Sequence, residues 1–289
     1  MSTTPTRHAI GVNTWVWTSP LTGAELRTLV PRIAADGFDV VELPVENVGD
    51  WDPDEAANLL ADHGLGASVV LVFSPGRELV EADAATVRST QDYLRRCVDI
   101  AARLGAPAVS GPAYASVGRT WRMGERERAA CVRRWREAVA PVLDHARDHG
   151  VVLGVEPLNR YETSLFNTVA QTLEAIDGLP ACGVALDVYH QNIEETDIGA
   201  AIRSAAGRIA HVQVCANDRG SPGRDHLDWP GVLSALADAG YTGPLCLESF
   251  TAHNDSIATA ASIWRPLAPS QDALAADGLA FLREVMPRS

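Results

Sequence analysis

Residues 208–218 read RIAHVQVCAND, and the choice of fold turns on this stretch. Its centre is short, apolar and rich in β-branched residues, the composition of a strand. Side chains of a strand alternate between its two faces, so His211 and Gln213 point to the same side. The remaining positions are apolar on both parities, as a strand covered on both faces must be.

Seven further runs share this character. They are AIGVNTW (9–15), FDVVELPV (38–45), ASVVLVFS (67–74), APAVSGPAY (106–114), VVLGVEPL (151–158), CGVALDVY (182–189) and PLCLESF (244–250). The segments between them read as helices. Residues 23–37 close on a glycine where a left-handed cap belongs. Residues 52–64 open with Asp-Pro-Asp and also end in glycine. Residues 124–150 form a long amphipathic pattern in which Pro141 is expected to introduce a kink, and residues 228–243 repeat the pattern late in the chain. Strand–helix alternation repeated eight times predicts an α/β fold, a (β/α)8 TIM barrel, as one domain over residues 1–289. The segment 257–289 is expected to be helical and to pack on the barrel or on a partner subunit. A doubly wound open sheet is disfavoured, because no glycine-rich dinucleotide turn follows the first run.

A barrel carries its chemistry at the C-terminal ends of its strands. Runs five to eight end in GVEPLNRYE, ALDVYHQN, HVQVCANDR and LCLESF. Glu156, Asp187, Gln213 and Glu248 therefore fall at matching positions on four consecutive strands. Three carboxylates converging in an apolar mouth repel one another unless a cation neutralises them. The oxygen-rich donor set points to Mg²⁺ or Mn²⁺ rather than zinc. The competing reading is that some of these acids face water or cap the next helix.

Bulk properties narrow the function classes. The 289 residues are 46% hydrophobic and 21% charged, with a formal net charge of −13. Such a field repels phosphate backbones. The densest basic run, CVRRWREA (131–138), has a helical pattern and acidic neighbours, so no nucleic-acid partner is expected. Five cysteines occur without a CxxC pair, which suits buried thiols in a reducing compartment. No run of about 18 apolar residues appears, and the first fifteen residues lack an apolar leader core. A cytoplasmic protein without membrane contact is the simplest expectation.

At this level the motifs become specific. GVNTWVWTSPLT (11–22), EPLNRYETSLFNT (156–168), LDVYHQNIEE (186–195), NDRGSPG (217–223) followed by HLDW (226–229), LESF (247–250) and IWRPLAPSQD (263–272) resemble the xylose-isomerase-like sugar isomerase/epimerase superfamily. Within it, the resemblance is to the D-tagatose/D-allulose (ketose) 3-epimerase group, and it runs essentially end to end.

The resemblance implies one divalent metal, usually Mn²⁺ with Mg²⁺ or Co²⁺ as alternatives, and no organic cofactor. Glu156, Asp187 and Glu248 match the family's metal ligands. The family's ligand histidine falls on Gln213, as in a branch resembling hydroxypyruvate isomerases, and His211 matches the preceding non-ligand histidine. Glu162, His190 and Arg219 match residues that hold the sugar. Ala216 departs from the glutamate usual in the group. Trp15, Trp17 and Phe73 are expected to form an apolar wall of the site or to pack in the core, and Cys215 to be a packed thiol.

The implied reaction inverts C3 of a ketose or keto-sugar through an ene-diolate, with Glu156 and Glu248 as the two catalytic carboxylates. Gln213 and Ala216 keep two alternatives open: aldose–ketose isomerisation and β-elimination from a 3-keto sugar, as in C-glycoside deglycosidases. A non-catalytic barrel serving as a binding or assembly subunit is the reading from a different class. The resemblance also implies a homo-oligomer, a dimer or a tetramer.

Overall fold

A computed structural model describes residues 7–286. Residues 1–6 and 287–289, the outer ends of the single-domain expectation, lie outside the described residues. Eight strands form a closed parallel barrel in chain order, with the last strand paired to the first. They are β1 (Ile10–Asn13), β2 (Val40–Val45), β3 (Gly66–Leu71), β4 (Ala108–Gly111), β5 (Val152–Val155), β6 (Cys182–Asp187), β7 (Ile209–Val214) and β8 (Leu245–Leu247). Each falls on one of the eight apolar runs, with β3 starting one residue earlier, at Gly66. Closure without an edge satisfies every strand's backbone by its neighbours.

The helices alternate with the strands: α1 (Gly23–Asp36), α2 (Pro53–Asp62), α3 (Ala84–Leu104), α4 (Glu125–Asp148) and α5 (Val169–Ile176) precede β6. Two short helices, α6 (Val188–Glu194) and α7 (Ile198–Ser204), connect β6 to β7. Then come α8 (Trp229–Asp238), α9 (Asp255–Ala260) and α10 (Gln271–Val285). Local chemistry sets their ends. Thr22 and Glu25 form a reciprocal capping box on α1, and Gly37 closes it at φ 94°. Asp52 caps α2 ahead of Pro53, and Asp228 caps α8. The long pattern containing Pro141 is one continuous helix, α4.

The expectation of a helical segment over 257–289 needs correction. Residues 261–270 between α9 and α10 are not helical. Pro266 and Pro269 lack the N–H a helix requires and restrict the residues before them. Helix α10 packs on the barrel, with Leu274, Leu279 and Leu282 buried and the Ser221 hydroxyl donating to the Leu274 carbonyl at 2.8 Å.

One irregularity positions the site. Val184 pairs with Ile209 but Ala185 pairs with His211, so β7 carries one extra residue, Ala210. Such a bulge re-aims the side chains beyond it. From there the register is regular, with Asp187 beside Gln213 and Gln213 beside Cys246.

Candidate active site

The barrel interior is polar just below its mouth. Glu42, in the middle of β2, is fully buried. Its neighbours in register are Asn13 on β1 and Ser68 on β3. The Asn13 amide donates to Glu42 Oε1 at 3.0 Å, Gln213 Nε2 donates to the same oxygen at 3.0 Å, and His211 Nε2 lies 2.5 Å from Oε2. Burial alone pushes the Glu42 carboxyl upward. The charge of His211 and the hydrogen bonds from His211, Gln213 and Asn13 outweigh it and hold Glu42 below the usual carboxylate range. His211 is thus packed beneath the site, as expected from the sequence, with Glu42 as its partner. Replacing Glu42 by glutamine keeps the volume but removes the charge facing His211. The expected loss is about 1–3 kcal/mol of folding free energy, read from urea unfolding. An unchanged midpoint would mean that this layer contributes no stability.

Above this layer, at the C-terminal ends of the strands, lies a cavity of about 380 Å³. Glu156, Glu162, His190, Gln213, Arg219 and Glu248 are among the residues that line it. Trp15, Phe73, Leu158 and Phe250 supply apolar wall, and Ile257 and Ala260 of α9 also line it. Gly111 at the end of β4 sits at φ 147°, and a Cβ there would meet the Leu71 carbonyl oxygen at 2.8 Å. A side chain at that position would displace β3 at the cavity wall. Trp17 does not reach the cavity. Its indole N–H donates to Asp272 at 2.8 Å and its ring lies under Arg32.

Asp187 caps the next helix and also faces the other charged groups of the mouth. Its Oδ1 accepts from the Tyr189 N–H at 2.9 Å and caps α6, while Oδ2 faces Arg219 Nη1 at 2.5 Å. Arg219 Nη1 also donates to Glu248 Oε2 at 2.9 Å. The guanidinium therefore sits between two of the carboxylates. Arg219 is almost fully buried, adopts φ 70° and stacks over Tyr189 at 4.0 Å. A left-handed conformation at a non-glycine residue is strained and is characteristic of functional loops. Cys215 is buried, with its sulfur 3.7 Å from Arg219 Nη1.

Burial pushes the Glu156 carboxyl well above the usual range, and the charges of Glu248 and Asp187 add to the push. Burial does the same to Glu248, partly offset by Arg219. Burial raises Glu162 as well, although Asn159 Nδ2 donates to it at 2.7 Å. His190 is driven down to about 3 by burial and is neutral. Its Nδ1 accepts from the Asn159 backbone N–H at 3.1 Å, so the ring proton resides on Nε2. That Nε2 lies 3.1 Å from Arg219 Nη2, which sets two donors face to face.

This donor set fits a divalent cation. Without a metal, Arg219 and the raised proton affinity of Glu156 and Glu248 offset the charge of these buried carboxyls, and a divalent cation would take the place of those protons. The Gln213 amide nitrogen is committed to Glu42 and to Glu248 Oε1 (2.5 Å), so its Oε1 carries the open lone pairs and is unpaired among the described residues. Carboxylate and amide oxygens are hard ligands suited to Mg²⁺ or Mn²⁺.

The raised carboxyls set a pH dependence. A carboxyl whose folded value lies above its unfolded value stabilises the fold below the ordinary carboxylate range, and this contribution is lost as pH rises toward the raised value. The metal-free protein is therefore expected to be relatively destabilised at pH 8, and bound cation to displace protons. Adding Mn²⁺ should raise the melting temperature more at pH 8 than at pH 5.5. An equal rise at both pH values would contradict this assignment.

The structure brings Glu156, Glu162, Asp187, His190, Gln213, Arg219 and Glu248 together, with Trp15 and Phe73 at the wall. Sequence reasoning missed Glu42, Asn13 and Asn159. A lone acid inside the otherwise apolar VVEL of β2 was the available signal for Glu42.

Comparison with known proteins places the fold in a family. A family profile described as the xylose isomerase-like TIM barrel matches residues 30–285. The ketose 3-epimerase of Arthrobacter globiformis is 34% identical, over 95% of this chain and 96% of that one. A solved L-ribulose 3-epimerase is 31% identical and superposes with a TM-score of 0.90, covering 96% of this chain and 94% of the other. The D-allulose 3-epimerase of Methylomonas sp., solved with D-allulose, is 28% identical with a TM-score of 0.87, over 97% and 98% of the two chains. The chain belongs to the xylose isomerase-like TIM barrel family and, within it, groups with the sugar epimerases.

Proposed function

We propose that the protein is a ketose 3-epimerase that works with a divalent cation, Mn²⁺ by preference, held by Glu156, Asp187, Gln213 and Glu248. The observation that carries this reading is the placement of two carboxyls. Glu156 follows β5 and Glu248 follows β8, three strands apart around a closed eight-stranded barrel, and both line one cavity. Strands three apart in a closed barrel reach its mouth from different directions, so in this reading the two carboxyls would face a sugar from different sides. Inversion at a carbon needs that arrangement, because the proton leaves one face and arrives at the other.

In this scheme one carboxylate takes the C3 proton and the other carboxyl delivers a proton to the opposite face. In the metal-free protein burial raises the proton affinity of both groups, and a cation bound beside them would lower it again, leaving carboxylates able to act as bases. A cation held by Glu156, Asp187, Gln213 and Glu248 would supply Lewis-acid polarisation of the sugar carbonyl. Glu162 and neutral His190 face the same cavity with an acceptor and an Nε2–H donor for sugar hydroxyls. Arg219 lies over Asp187 and Glu248 with further N–H groups for the sugar's oxygens. Trp15, Phe73, Leu158 and Phe250 exclude water from the reacting carbon. The relatives that act on ketoses at C3 support the same assignment.

The test is a panel of D-fructose, D-tagatose and L-ribulose incubated with Mn²⁺-loaded protein and resolved by chromatography. The 3-epimer of at least one sugar is expected. Absence of every 3-epimer with Mn²⁺, Co²⁺ and Mg²⁺ alike would overturn the proposal.

A further inference from the structure

A second cluster of metal-binding groups lies at the opposite end of the barrel from the mouth. Asp99 is near the C-terminal end of α3, His145 is in the last turn of α4, and His149 follows as the residue that ends α4. These helix ends lead into the starts of β4 and β5, so the cluster belongs to the N-terminal face of the barrel, where conserved chemistry is not expected.

His145 and His149 are spaced i, i+4 and share one helix face. Their rings are 4.2 Å apart between centroids. His145 Nε2 is 2.7 Å from Asp99 Oδ1, and His149 Nε2 is 3.7 Å from the same oxygen. All three ligand atoms lie within 4.8 Å of one another.

The orientation of His149 is one a metal ligand uses. Its Nδ1 lies 2.8 Å from the His145 carbonyl oxygen, which can only accept, so Nδ1–H donates. In the neutral ring the Nε2 lone pair then points toward a carboxylate. A bound cation fills that position between the lone pair and the carboxylate, as a proton on Nε2 otherwise would. A histidine that donates through Nδ1 to a backbone carbonyl and presents Nε2 is the arrangement that fixes tautomer and ring in metal sites. The other oxygen of Asp99 faces Arg96 Nη1 at 3.7 Å, which leaves Oδ1 for the ligand.

We propose that Asp99, His145 and His149 form a zinc-class cation site that clips α3 to α4. Two imidazoles and one carboxylate select a borderline cation such as Zn²⁺ over Mg²⁺ or Mn²⁺. Three protein ligands with side chains about one-quarter to two-fifths exposed leave the fourth position to water. Tetrahedral coordination at about 2.0–2.1 Å spaces ligands roughly 3.4 Å apart, so Asp99 Oδ1 withdraws slightly from His145 on binding. The bound ion adds a tie near the helix ends to two helices that packing and the hydrogen bond from the Gln91 amide to the Ala138 carbonyl, 2.7 Å, already join. Its role is structural, and it is independent of the chemistry at the mouth.

The test uses untagged full-length protein freed of metal, together with His149→Ala and Asp99→Asn. Zn²⁺ is titrated calorimetrically, with Mg²⁺ as the control. Wild type is expected to bind one more equivalent of Zn²⁺ than either variant, and its melting temperature should rise further on Zn²⁺ addition. The epimerisation rate with Mn²⁺ should be the same in wild type and His149→Ala. Equal Zn²⁺ stoichiometry in wild type and both variants would overturn the site. The exposed His149 carries little packing, so His149→Ala retains the fold; Asp99→Asn keeps the side-chain shape and serves as the second reading.

Discussion

Replacing Glu156 or Glu248 by glutamine is expected to lower kcat for C3 epimerisation by about 10²–10⁴-fold, the range supplied by one positioned acid–base group. Both carboxyls line the cavity and both hold their protons more tightly than an ordinary carboxyl. Glutamine preserves shape and an oxygen donor but can neither take nor deliver a proton. The two variants should differ in one respect: with only one carboxyl left, each is expected to retain exchange of the C3 proton from a single face of the sugar. With a given sugar, only the variant that keeps the carboxyl on the C3–H side should exchange solvent deuterium into the substrate, and the other variant should do so with the 3-epimer, both forming little of the inverted product. Wild-type kcat in both variants would remove the two-carboxyl scheme. Loss of activity with wild-type exchange on both faces would place the proton transfers on other groups.

Arg219→Ala is expected to move metal affinity and catalysis in opposite directions. In the metal-free protein Arg219 Nη1 bonds Asp187 Oδ2 and Glu248 Oε2, which are two of the oxygens a cation would take. Its Nη2 meets the Nε2–H of His190 donor to donor, a contact the guanidinium gains by leaving. Deleting one partner of a buried ion pair costs about 3–5 kcal/mol, so the metal-free variant should unfold at markedly lower urea. The deficit should be smaller at pH 5, where Glu248 keeps its proton. Removing charged hydrogen bonds worth about 1.5–3 kcal/mol frees the site, and Mn²⁺ affinity should rise about ten- to a hundredfold. Turnover should fall because the sugar loses a cationic contact. Calorimetric titration with Mn²⁺ checks this; weaker binding by the variant would mean that Arg219 cooperates with the cation instead of competing with it.

The barrel was legible because strand runs and helix caps are local properties. The eight apolar runs, the Gly37 closure of α1 and the Asp-Pro start of α2 each declare themselves within a few residues. The four strand-end positions were legible for the same reason, since register in a parallel barrel aligns strand ends. Glu42 was not legible as a site residue. Its partners His211 and Gln213 are more than 160 residues away in sequence, and only closure of the barrel brings them together. The occupation of the carboxylate site by Arg219 was equally hidden, because it depends on a left-handed turn in a loop. The break between α9 and α10 could have been read from Pro266 and Pro269. Whether residues between two helices continue one or connect both is decided by such positions more than by overall helical composition.

The most direct measurement of the central claim is the position of solvent deuterium in product formed by Mn²⁺-loaded wild-type protein in D₂O. Proton exchange at C3 between two carboxyls predicts label at C3 of the epimer and none at C1. Label at C1, or an aldose labelled at C2, would contradict the assignment and make the protein an aldose–ketose isomerase on the same barrel.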